Sequence, residues 1–162
     1  MKIATTTGEM YPFTSSEAEA IRAYEGTGFR YLDYSFYEVL RNPNHPFLGD
    51  NWKEGVLEAK KAAEELGITF VQAHSPQCVI IGEGSEKGLF ATIRSIEACG
   101  MLGIKNMVVH SGLSKEFKYP DDKLAYFKAN EPFFKALIPY MEKYDVNILF
   151  ETVGYLANTE NV

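Results

Sequence analysis

Apolar and polar positions follow two rhythms along this chain. Short β-type runs at residues 2–7, 29–34, 68–73, 104–109 and 146–150 are separated by longer stretches with helical spacing. The first helical stretch opens on a capping box, Ser16 and Glu19. It continues through Ala18, Ile21 and Ala23 and stops at Gly26 and Gly28. A second box, Asn51 and Glu54, opens a helix carrying Val56, Leu57, Ala59, Ala62, Ala63 and Leu66. Gly67 closes it, as suits a left-handed helix end. Ser85 is the expected cap of a third helix, with Leu89, Ile93, Ile96 and Met101 on its apolar face and Gly103 at its end. The fourth reads as two pieces. A short helix covers 122–129; Asn130 and Pro132 then restart it, and Pro139 bends it.

Strands and helices therefore alternate, five of one and four of the other. That order predicts an α/β fold of parallel βα repeats with right-handed crossovers. Each strand-to-strand step is far longer than a hairpin needs.

Three of the apolar runs end alike: ITFVQAH, IKNMVVH and VNILFE. Each stops on a side chain able to bind a metal: His74, His110 and Glu151. Side chains alternate across a strand, so Gln72 shares a face with His74, Val108 with His110 and Leu149 with Glu151. On successive parallel strands all three would stand at the carboxyl edge of one sheet, where such folds build their sites. Alone, a histidine or glutamate at a strand end is usually a hydrogen-bonded rim residue. Three at equivalent places point to a shared metal site, and two imidazoles with a carboxylate suit a divalent transition ion. Asp33, in RYLDYSF, either reaches substrate or orders the ligands from behind. His45, in NPNHPF, reads as a surface loop residue, and Trp52 as a packing anchor.

Charge narrows the field. Sixteen Lys and Arg against 22 Asp and Glu give a net charge of −6. A binder of phosphate backbones would carry a basic stripe, so nucleic acid is not an expected partner. No apolar window is long enough to span a membrane, and MKIATTTGEM does not read as a secretory signal. The two cysteines, Cys78 and Cys99, form no CxxC pair and read as free thiols of a reducing cytoplasm. GEGSEKG matches no phosphate-loop pattern. At 162 residues the chain falls short of the roughly 250 that a closed (β/α)8 barrel needs.

YLDYSF, VQAHSP, VVHSG, ILFETVGY and above all EPFFKALIPYMEKYDVNILFET give the chain its resemblance to a known group. It resembles the xylose-isomerase-like barrel superfamily, most closely the sugar phosphate isomerase/epimerase branch, whose relatives include tagatose-type epimerases and apurinic endonucleases. The resemblance implies a partial TIM (β/α)8 barrel. Residues 1–162 would form a single domain, the N-terminal five-eighths of such a barrel. It also implies a divalent metal ion (Mn, Zn, Co or Mg) at the carboxyl face. In the epimerases the matching glutamate binds the metal and takes a proton next to a carbonyl, which gives Glu151 both roles. In the endonucleases the matching histidines bind zinc, which makes His74 and His110 ligands. Asp33 is the candidate substrate-binding residue.

The expected function is therefore a sugar or sugar phosphate isomerase or epimerase, truncated here and weak or inactive alone. Further ligands of the family lie on sixth, seventh and eighth strands. The alternatives are a self-associating half-barrel without catalysis and, less favoured by the charge, a metal-dependent apurinic endonuclease. Open sheet edges make a homo-oligomer the expected state.

Overall fold

A computed structural model describes residues 2–112 and 123–151. Five strands form one parallel sheet in the order β1-β2-β3-β4-β5: Ala4–Thr6, Tyr31–Ser35, Thr69–His74, Asn106–His110 and Asn147–Glu151. The sheet does not close on itself. Helices α1 (Glu17–Arg22), α2 (Trp52–Leu66), α3 (Ser85–Leu102) and α4 (Lys123–Tyr144) are the four crossovers. This is the α/β architecture of a partial (β/α)8 barrel, as the alternation predicts.

One face of the sheet is the core side. Leu32, Tyr34, Ala73, Met107 and Val109 pack there against Ile21, Val56, Ala62, Ile96 and Leu137 from the helices. Burial of these side chains is what fixes strand register, since a one-residue slip would move the whole set to the opposite face. That opposite face is sparsely covered: Val71 and Leu149 stay 43% and 42% exposed. It carries the candidate site.

Local chemistry departs from expectation in three places. Ser16 does cap α1, accepting from the Glu19 N–H at 3.2 Å, but the Glu19 carboxylate turns to the Ser15 N–H at 2.8 Å. Asn51 makes no side-chain cap on α2, because its backbone (φ −91°, ψ 17°) lacks the extended conformation that aims a capping side chain. Ser85 is the first residue of α3 rather than its cap; Gly84, at φ 88°, precedes the helix.

The fourth helix is continuous and not two pieces, with Pro132 and Pro139 inside it. Tyr126, Asn130, Phe133 and Leu137 are all buried at helical spacing, one stripe running through the expected break. Packing of that stripe outweighs the hydrogen bonds that the prolines cannot donate.

A candidate metal centre at the carboxyl edge

Each of strands β2 to β5 ends one residue later than its apolar run suggests. His74, His110 and Glu151 are therefore the last ladder residues of β3, β4 and β5, held by the sheet and not by loops. His110 pairs in register with Glu151, while His74 pairs with Val108, one side-chain step lower. The stagger leaves the His74 ring reaching up toward the other two.

The loop after β4 is locked by the VVHSG segment. Gly112 donates to the buried Asn130 side chain at 2.7 Å, and the Tyr126 hydroxyl donates to Ser111 Oγ. A Cβ at Gly112 would stand 2.8 Å from Ile80 Cβ and 2.9 Å from Ile81, so only glycine lets the two loops approach this closely. Helix α4 thereby braces the strand end that presents His110.

One ligand atom from each of His74, His110 and Glu151 lies within 4.8 Å of the others. His110 Nε2 stands 2.6 Å from Glu151 Oε2, an ion pair when the imidazole is protonated. The His74 and His110 rings meet edge to face, 6.1 Å between centroids. Donors sharing one ion at about 2.0–2.2 Å sit roughly 3–4 Å apart, so the set fits a divalent ion after shifts on the order of 1 Å. All three side chains are half-buried, which leaves room for further ligands.

Asp33 lies in the middle of β2, with its side chain on the same face. Its Oδ2 accepts from Gln72 Nε2 at 2.5 Å and pairs with His74 Nδ1 at 2.8 Å. Its Oδ1 is buried with no hydrogen-bond partner among the described residues. The bond to Asp33 holds the His74 imidazole above its ordinary pKa, against the opposing pull of burial. A cleft of about 620 Å³ opens beside this pair, lined by Thr6, Gly8, Ser35, Tyr37, Gln72 and His74 among others.

Sequence reasoning did not single out Tyr37, whose ring lies 6.0 Å from that of His110, or give Gln72 a role beyond its shared face. The parity of Gln72 with His74 was the available signal. His45 stays outside the site: its Nδ1 accepts from the Phe47 N–H at 3.2 Å and starts a short 3₁₀ turn. Trp52 is buried against Phe47, under the Arg94 guanidinium. Cys78 and Cys99 are free, and burial pushes both thiols up.

A parallel βα sheet with two imidazoles and a carboxylate on adjacent strand ends defines the metal-competent edge of a βα-barrel protein. A family model described as the xylose isomerase-like TIM barrel matches residues 21–161, and the chain belongs to that family. Comparison with curated proteins gives no match.

Solved structures similar to it include the 3-keto-D-glucoside 4-epimerase of E. coli, with a TM-score of 0.66 and 19% identity over 96% of this chain and 57% of that one. A D-tagatose 3-epimerase-like protein gives a TM-score of 0.69 and 13% identity over 94% and 53%. An AP endonuclease, family 2, from Brucella melitensis gives 0.65 and 14% over 99% and 57%. At these identities the likeness is one of fold. The chain spans little more than half the length of each.

Proposed function

We propose that this chain supplies the first half of the active site of a sugar or sugar phosphate isomerase or epimerase. His74, His110 and Glu151 would hold a divalent ion, and Glu151 would be the base. The observation that carries this reading is the convergence of those three donors on adjacent strand ends of a xylose isomerase-like sheet. Several of the similar structures are sugar epimerases by name, which supports a sugar as the substrate class. When bound, the ion would supply Lewis-acid stabilisation of charge developing on a carbonyl oxygen.

The chain's own residues do the rest. Glu151 offers two oxygens. Oε2 faces His110, which leaves Oε1 to take a proton from a carbon next to the sugar carbonyl. Thr6, Ser35 and Tyr37 line the adjoining cleft with groups suited to sugar hydroxyls. Thr6 and Ser35 end β1 and β2, and the three metal donors end β3 to β5, so these side chains are held more rigidly than on free loops.

Hydrogen exchange tests the reading. The full chain is incubated in D2O with Mn²⁺ or Co²⁺ and a panel of ketoses, free and phosphorylated, and deuterium entering beside the carbonyl is followed by NMR. Exchange should require the added ion and fall by about 10²–10⁴ in Glu151→Gln. Exchange that persists at full rate in Glu151→Gln, or that proceeds equally without added ion, would overturn it.

A further inference from the structure

We infer that Asp33 is a positioning residue: with Gln72 it fixes the His74 ring so that Nδ1 carries the proton and Nε2 is the atom offered to the ion. This rests on the reading of His74 as a metal donor given above.

The register of the sheet is what builds the arrangement. β2 pairs with β3 as Tyr31 with Thr69 and Leu32 with Phe70. The next partner of Asp33 is then Gln72, so Val71 is the extra residue of a bulge. Without that bulge Asp33 would stand opposite Val71. With it, Asp33 sits beside Gln72 and within reach of His74, two residues further along the same face.

Both β3 side chains converge on one oxygen, Oδ2, at 2.5 and 2.8 Å. An ionised carboxylate only accepts, so the His74 nitrogen facing it must be the N–H. The other nitrogen, Nε2, keeps its lone pair, and it is the atom that His74 then has to offer to an ion shared with His110 and Glu151. Asp33 is only 8% exposed, and its Oδ2 already takes two hydrogen bonds. A carboxylate so enclosed is placed to orient a ligand rather than to grip a substrate. Histidine ligands elsewhere are aimed and made more basic by such partners. Gln72 donates to the same oxygen, which helps keep Oδ2 turned toward His74.

Two readouts test this. The first needs no metal. With three histidines in the chain, the His74 ring nitrogens can be assigned in ¹⁵N NMR spectra with His45→Gln and His110→Gln as references. At a pH where the ring is neutral, His74 should carry its proton on Nδ1; a proton on Nε2 would overturn the inference.

The second is Co²⁺ or Zn²⁺ affinity by competition with a chromophoric chelator. Asp33→Ala should bind about 10–100-fold more weakly than wild type. Asp33→Asn, whose carbonyl oxygen can still accept from Nδ1, should recover most of that loss. Wild-type affinity in Asp33→Ala, or an Asn variant as weak as the Ala variant, would also overturn it. If Asp33→Ala does not fold, the NMR arm and the Asn variant still decide. A wild-type chain that binds no ion yet shows the Nδ1–H tautomer would sink the metal reading and leave Asp33 as the residue that orients the ring.

Discussion

At the scale of single residues, burial and partner chemistry decide what each ionisable group can do. Asp33 and Glu17 are contrasting cases. Asp33 is enclosed but accepts two hydrogen bonds. Glu17 is enclosed with its Oε2 unpartnered, near the Tyr34 and Tyr11 hydroxyls and 4.0 Å from His45 Nε2. Burial pushes the Glu17 carboxyl up to about 7 and pushes His45 down, so both groups favour their neutral forms. The sign of the stability effect follows. Between pH 4.5 and about 7 the unfolded chain ionises Glu17 while the folded chain keeps it protonated. The Glu17 contribution to stability therefore falls as pH rises through that window, by roughly 3 kcal/mol at most, and levels off above it, while the lowered His45 pulls the other way below its ordinary pKa. Glu17→Gln should match wild type near pH 4.5 and exceed it by a similar margin at pH 8 in urea unfolding. A difference between Glu17→Gln and wild type that stays constant from pH 4.5 to pH 8 would contradict this.

Elements show where sequence reading succeeds and where it stops. The five strands were legible because apolar runs bounded by polar turns leave few alternatives. Their last residues were less so: a polar side chain at a strand end looks like the start of a loop, yet His74, His110 and Glu151 still pair. The bulge at Val71 leaves no mark in the sequence, so the meeting of Gln72 and His74 on Asp33 could not be read there. The continuity of α4 was hidden for a related reason, since two prolines are a local signal while the buried stripe from Tyr126 to Leu137 takes its meaning from what it packs against.

Two helical glycines make the same point testable. A Cβ at Gly88 of α3 would come within 2.5 Å of the Val79 carbonyl oxygen and 2.9 Å of Cys78. A Cβ at Gly55 of α2 would meet nothing within 4 Å. Gly88→Ala should therefore destabilise by about 1–3 kcal/mol, and Gly55→Ala should stabilise by about 0.5–1 kcal/mol, both measured by denaturant unfolding. Equal effects at the two sites would mean that the close approach of α3 to the β3–α3 loop is wrong.

On the scale of the whole molecule, the sheet divides the labour. Among the described residues its helix-covered face supplies the apolar burial, and its other face is sparsely covered and presents chemistry at one edge. Among the described residues no helix is long and apolar enough to cross a membrane. Everything proposed about function depends on whether His74, His110 and Glu151 act on one ion. Titration of the full chain with Co²⁺, followed by visible absorption and reversed with Zn²⁺, measures this most directly. The expected result is one saturable site per chain that weakens more than about tenfold in each of His74→Ala, His110→Ala and Glu151→Gln. No saturable binding, or the same affinity in wild type and all three variants, would contradict the account.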